Sequence, residues 1–462
     1  MKINKKYLII IILVLVIGIT SAIFILNKNS NNKTSTTSTK TPEISLSDDK
    51  DWSSYTTYNI ELSNETVTIT EEGVYNITGT LTDNNIVINT EGNVKLILNN
   101  VTIKNSNGPA INVENAKNVY IELVGENTID ATATEELDAA IYSSDDLFFE
   151  GDGTLNITSN LDGIKSKDDL TIYSGTFNIK SGDDAIVGKD SVSIIDGIFN
   201  ITSTGDAIKT TNETELGVIT IKDGSFNIES ESDGIDSIST LYIDGGKFDI
   251  TTGSGYTKTT KTGFETSTTS TESKKGIKAE GDIIINGGEF TLNTEDDSIH
   301  TNSNMTITSG TFTIKSSDDG IHADGMLEIN GGTFDIAASE GLEATYVKIN
   351  DGTIKIEASD DGINAGNKSN EYSVTIEING GNIEINMGAG DTDAIDSNGN
   401  IYINGGTINI TGNSAFDYDG EAKYNGGTLT VNGEVTTTIQ NQMMGGAPNG
   451  GQPGNMNQRM RY

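Results

Sequence analysis

Apolar and polar residues alternate along this chain in short runs, as in Phe312-Thr313-Ile314-Lys315 and Leu327-Glu328-Ile329-Asn330. A period of two places one set of side chains on one face of an extended strand, and no window carries a helical stripe of comparable length. Two markers punctuate the runs. The first is an acid, a small residue and an aliphatic one: Asp162-Gly163-Ile164, Asp184-Ala185-Ile186, Asp206-Ala207-Ile208, Asp233-Gly234-Ile235, Asp297-Ser298-Ile299, Asp319-Gly320-Ile321, Glu340-Gly341-Leu342, Asp361-Gly362-Ile363 and Asp393-Ala394-Ile395. The second is a Gly ahead of a bulky apolar residue, from Gly175, Gly197 and Gly224 through Gly288, Gly310 and Gly332 to Gly427. Between insertions the markers return about every 22 residues, the signature of a solenoid.

The repeat predicts an all-β, right-handed parallel β-helix. About 22 residues at ~3.3 Å each make one coil of three short strands with tight bends. Stacking the coils at ~4.8 Å pairs each backbone N–H and C=O with the next coil and buries Ile, Leu and Phe in a column. The hand follows from the parallel crossover rule. Gly at the bends supplies the positive φ of a sharp corner. Leucine-rich repeats lack their consensus here, and a propeller blade needs about 40 residues.

The chain divides accordingly. Residues 51–435 form the β-helix, with Pro109-Ala110-Ile111 and Ala139-Ala140-Ile141 as atypical first coils. Before it, Lys5 and Lys6 precede an apolar run from Tyr7 to Leu26, and residues 27–50 are a Ser/Thr/Asn/Lys spacer. The run has the length of a membrane anchor, and Thr20-Ser21-Ala22 offers a cleavage pattern. Either reading puts the remainder outside the cell, on the outer face of the membrane or secreted. Insertions fall at Thr252–Ser273, Gly366–Ser373 and Met387–Thr392, where solenoids build binding faces. Residues 436–462 read as a disordered Gly/Asn/Gln/Met-rich tail.

A formal charge of −38 disfavours nucleic acid and anionic membrane surfaces as partners. The chain has no Cys, which excludes disulfides and thiolate metal sites. No protein partner can be inferred. Phosphate-loop and dinucleotide fingerprints are missing, as is any nucleophile-plus-base arrangement. Trp52, Tyr242 and Tyr402 are scattered aromatic candidates for a sugar platform.

In each coil the aliphatic residue of the first marker points inward, so the next residue points out. Along the axis these are Lys165, Val187, Lys209, Asp236, Lys278, His300, His322, Glu343, Asn364, Asp396 and Asp417. Three places double the acids: Asp233 with Asp236, Glu340 with Glu343, and Asp393 with Asp396. The preceding coils add Asp206, Asp318 and Asp319, and Asp360 and Asp361 respectively. Converging carboxylates are the hard oxygen donors of Ca²⁺, and without a cation some would stay protonated. Against this, Asp before Gly is ordinary turn chemistry. The two histidines of the chain, His300 and His322, read as a solvated surface row or as a metal or catalytic pair. Lys209, Lys278, His300 and His322 are the candidate substrate contacts on this row. Trp52 to Val435 contains no Arg, so an acidic sugar would need calcium as a bridge.

Gly73-x-Tyr75-x-Ile77-x-Gly79-Thr80-Leu81, the Val94–Val101 segment, Ser143-Ser144-Asp145-Asp146-Leu147 and Gly188-Lys189-Asp190-Ser191-Val192 resemble, in order and spacing, the clostridial carbohydrate-binding β-helix proteins. The resemblance covers nearly all of Trp52 to Val435. It implies a calcium-containing fold similar to polysaccharide lyases, with binding of plant cell-wall polysaccharide (cellulose or acidic sugars) as its role. Family-nine pectate lyases carry an Asp-Asp-Gly-x-Asp calcium motif, an Asp one coil earlier and a Lys base. Asp206, Asp233, Asp236 and Lys278 match those positions, with Ser232 in place of the first Asp. A calcium-dependent polyuronate lyase with Lys278 as base is therefore the alternative, and a structural surface protein the third reading.

Overall fold

The computed structural model describes residues 50–213, 216–257, 273–388 and 392–442. Among them every regular element is a strand, 43 in all, joined in one continuous sheet. The strands pair in parallel except near the end of the described residues, where Glu434–Thr436 runs antiparallel to Thr428–Val431. This is a parallel β-helix, and each coil contributes to three ladders.

One ladder is built on Phe. Phe177, Phe199, Phe226, Phe248, Phe290, Phe312 and Phe334 stand in register on successive coils. Their rings stack with centroids 4.6 to 5.2 Å apart, the same side chain recurring at the coil spacing. All are buried, and taking each from water contributes about 2–3 kcal/mol. The second ladder carries the acid markers, with Ile164, Ile186, Ile208, Ile235, Ile277, Ile299, Ile321, Leu342, Ile363 and Ile395 in register. The third is aliphatic inside, as in Leu241, Ile283, Met305 and Leu327.

Both markers have steric causes. Gly310 sits at φ 132, and a Cβ there would lie 2.8 Å from the Phe312 ring it supports. At Gly320 a Cβ would meet the carbonyl oxygen of Gly341 on the next coil at 2.6 Å, which is why the residue between acid and Ile is small. Ile111, Ile141 and Ile164 stand in register, with Val67 and Ile86 before them on the same ladder.

The last coil is covered by the chain that follows it. Ile439 packs on the core, the Gln442 N–H donates to Phe416 O at 2.9 Å, and Asn441 Nδ2 donates to Tyr418 O at 2.6 Å. The boundary expected at 435 falls inside this cap. The described start of the long insertion lies along the neighbouring coils, its Ser254 and Tyr256 N–H groups donating to Glu295 Oε2 (2.7 Å) and Asn293 Oδ1 (2.9 Å). Phe264 and the rest of that insertion lie outside the described residues.

The placement at the outer face of a membrane is corrected. Among the described residues no helix is long and apolar enough to cross a membrane, and the run Tyr7–Leu26 on which the expectation stood lies outside them.

Candidate functional site

The outward row on the acid ladder has the register expected of it: Lys165, Val187, Lys209, Asp236, Lys278, His300, His322, Glu343, Asn364, Asp396 and Asp417 follow one another coil by coil. The marker acids flank it, and their two oxygens do different things. One accepts the backbone N–H of the equivalent residue a coil further on: Asp206 N to Asp184 Oδ1 (2.7 Å), Asp233 N to Asp206 Oδ1 (2.9 Å), Lys275 N to Asp233 Oδ1 (2.6 Å) and Asp319 N to Asp297 Oδ1 (3.0 Å). The bond therefore ties coil to coil instead of closing its own turn. The other oxygen faces the row residue three positions on, as in Asp162 Oδ2 with Lys165 Nζ (2.8 Å) and Asp206 Oδ2 with Lys209 Nζ (2.6 Å).

Asp206, Asp233 and Asp236 do converge, and two ammonium groups come with them. Lys209 also lies 3.6 Å from Asp184, and Lys278 stands 3.6 Å from Asp233, 3.4 Å from Asp236 and 3.5 Å from Glu280. Burial pushes the Asp233 carboxyl up to about 6, helped by Asp206 and Asp236. Burial also works against the Lys278 charge, yet Asp236, Asp233 and Glu280 outweigh it and hold the amine above its ordinary value. An amine held that way is protonated at neutral pH and cannot remove a sugar proton.

The second cluster is denser. Asp319 and Glu343 meet at His322 Nδ1, 2.8 and 2.9 Å away, and Lys368 reaches Glu343 Oε1 at 2.8 Å from the Gly366–Ser373 insertion. His322 is only 7% exposed, so the solvated row expected for the histidines is corrected: stacking the coils closes neighbouring side chains over it. Burial lowers the imidazole pKa, but Asp319 and Glu343 reverse the sign and push it up to about 11. Burial raises Glu340 to about 7 with Glu343 beside it, while the Asn364 amide donates to Glu340 Oε2 at 2.8 Å. Asp318 is exposed on the rim, and its carboxyl is raised to about 6 by partial burial and Asp297.

Sequence reasoning missed three members of this region. Lys275 stands where the marker would put an acid, its ammonium 2.8 Å from both Asp296 and Asp297. The missing acid before Gly276-Ile277 was the available signal. Asp297, a marker acid not grouped with the others, holds His300 Nδ1 at 2.8 Å. Lys368 arrives from an insertion, and its position in the sequence gives no hint of its partner.

The third cluster differs in kind. Burial, then Asp360, Glu340 and Asp396, push the Asp361 carboxyl up to about 8. Asp396 is raised to about 6 by burial, Asp417 and Asp393. Asp361 Oδ1 accepts the Asp393 N–H at 3.2 Å, and the Ser414 hydroxyl donates to the Asp393 carboxylate. After burial, the largest charges acting on Asp361 and Asp396 are carboxylates. This set of hard oxygens fits Ca²⁺.

The aromatic candidates separate. Trp52, ahead of the first strand, packs against Tyr55 and Tyr120, and Tyr120 pairs with Phe148 on the third ladder. Tyr120 and Phe148 stack at 4.5 Å and 10°, which uses their faces on each other, and Trp52 meets Tyr120 edge-on at 5.1 Å. The Tyr402 ring has the Lys423 ammonium 5.6 Å over it.

Three likenesses accompany this geometry. The family model described as carbohydrate-binding domain-containing protein matches residues 63–320 and 318–444. A carbohydrate-binding domain-containing protein of Acetivibrio thermocellus is 33% identical over 126 residues, 24% of this chain and 44% of that protein. The chain thus spans less than half the length of that relative. A solved structure described as the polysaccharide lyase-like protein from C. thermocellum, in a gadolinium derivative, is 26% identical over 50% of this chain and 96% of that one, with a TM-score of 0.43.

Proposed function

The chain belongs to the carbohydrate-binding domain-containing proteins, and from that premise we propose that it binds plant cell-wall polysaccharide of the acidic, polygalacturonate-like class through calcium. Asp360, Asp361, Asp393 and Asp396 are the residues that would hold the ion. The observation that carries this reading is the Asp361 carboxyl, which burial, then Asp360, Glu340 and Asp396, push up to about 8. A divalent cation relieves that repulsion and leaves charge to attract a uronate carboxylate. With no Arg between Trp52 and Val435, calcium is also the bridge that an acidic sugar requires. Cellulose is favoured less, because the aromatic faces of Tyr120 and Phe148 are spent on each other.

The lyase alternative asks Lys278 to give up its proton among Asp233, Asp236 and Glu280, all of which hold it. The deciding experiment incubates the protein with polygalacturonate, with and without calcium, following retention and unsaturated product together. Calcium-dependent retention without product is expected. Product that disappears in Lys278→Ala would replace binding with catalysis, and no retention at all would remove the acidic-sugar reading.

A further inference from the structure

Each of the two histidines has oxygen on both sides of its ring. His300 Nδ1 faces Asp297 Oδ2 at 2.8 Å and its Nε2 faces Asn302 Oδ1 at 2.8 Å. That amide is oriented by its own NH₂, which donates to Glu280, so an acceptor is what His300 meets. His322 Nε2 faces Asp324 Oδ1 at 3.3 Å, while its Nδ1 faces Asp319 Oδ2 and Glu343 Oε2 at once. A neutral imidazole has one N–H and one lone pair, so a ring with oxygens at both nitrogens needs a second proton, on the ring or on a facing carboxyl, or a metal ion. The two rings lie 4.6 Å apart, where two imidazolium charges would repel.

A metal resolves the conflict with the atoms already present. The Nε2–H groups donate to Asp324 and Asn302, the outer contact that fixes the tautomer of ligating histidines. That leaves both Nδ1 lone pairs turned toward carboxylates. Asp319, His322 and Glu343 offer ligand atoms all within 4.8 Å of one another, as do Asp297, His300 and His322. Asp297, Asp319, His322 and Glu343 are each less than 9% exposed, so the donors are held in place by packing. The Nδ1–oxygen separations of 2.8 and 2.9 Å need to open only slightly to reach the edge of a tetrahedron with ligands at about 2.0–2.1 Å.

We infer that Asp319, His322 and Glu343, supported by Asp297 and His300, form a binding site for a divalent transition metal of the zinc type. Mixed nitrogen and carboxylate donors suit zinc, cobalt or nickel, whereas calcium prefers oxygen alone. The site is thus separate in chemistry from the oxygen cluster around Asp361, and its fate does not depend on carbohydrate binding.

The test is a Co²⁺ titration of the full chain after EDTA treatment and dialysis, read by visible d–d absorption. One equivalent is expected to give a nitrogen-ligated spectrum that Zn²⁺ displaces and a large excess of Ca²⁺ does not. His322→Ala is expected to weaken binding by about 100-fold or more and His300→Ala by about 10-fold. If the His322 variant fails to fold, the imidazole ¹⁵N shifts of the wild-type chain give the same answer, the Nδ1 resonance moving on Zn²⁺ addition. No visible band, unmoved nitrogen shifts, unchanged affinity in a folded His322→Ala, or displacement by Ca²⁺ would each overturn the assignment.

Discussion

The acid ladder solves one electrostatic problem in two ways. In the coils from Asp162 to Asp236 the acids come with their own cations, Lys165, Lys209 and Lys278, each folded back on the carboxylate beside it. In the coils from Asp361 to Asp417 the register is the same, and the marker holds until Ser414-Ala415-Phe416 replaces it, but the row carries Asn364, Asp396 and Asp417 where the earlier coils carry Lys165, Lys209 and Lys278 among Val187 and Asp236. Burial acts on both ends alike. What differs is whether lysine stands in the row beside the acids; on the reading proposed above, the second end takes its counter-charge as calcium. A repeat thus keeps its fold while the outward position changes the charge of the row.

That contrast has a sign that can be measured. Lys278→Ala should destabilise the protein by about 3 kcal/mol, since it takes the nearer cation from buried Asp233 and Asp236 and leaves Lys209 alone acting on Asp236. Denaturant unfolding reads this directly, and a loss below about 1 kcal/mol would mean the row is solvated. Asp361→Asn should do the reverse in calcium-free buffer, raising stability by about 1 kcal/mol by removing a repelled acid, and should cut calcium-dependent retention on polygalacturonate. Loss of stability in that variant, or unchanged retention, would erase the distinction between the two ends.

A third expectation concerns pH. Asp361 has a folded value of about 8 against an unfolded one near 3.8, so the folded state binds the extra proton between them. Its contribution is complete below about pH 4 and is lost as pH rises through about 8. Lys278, held above its ordinary value, stays protonated in both states across that range and adds no slope. In chelator, Tm should therefore fall from pH 5 to pH 8 by a few degrees, since one proton linked over those pH units is worth up to ~4 kcal/mol and ~1 kcal/mol moves Tm by about 1–2 °C in a chain of this size. Saturating calcium or Asp361→Asn should reduce the slope, leaving the part that Asp233, Glu340 and the other raised carboxyls contribute. A profile indifferent to both would show that Asp361 is not the titrating group.

The fold was legible because a strand's period of two and the coil's period act on every residue. Once Ile208 was placed inside, Lys209 had to face out, and the same step ran along the row to Asp417. Burial of that row was not legible, because a residue's neighbours along the axis come from coils about 22 residues away and from insertions of irregular length. His322 lost its solvent to Glu343 and Lys368, neither of them near it in sequence. The lysines were visible as salt-bridge partners, but their weight at Asp206 and Asp233 depends on distances that no spacing gives. The aromatic row at Trp52 was hidden for a similar reason: Trp52, Tyr120 and Phe148 are brought together only by coil stacking.

The antiparallel turn-back at Glu434–Thr436 and the Gln442 and Asn441 bonds to the last coil also bear on assembly. A stack of identical parallel strands is the geometry of an amyloid fibril, and its open end is a template on which another chain could grow. Reversing the final strand and covering Phe416 and Tyr418 turns that end into a dead stop. The coils can then repeat as regularly as a fibre without seeding one.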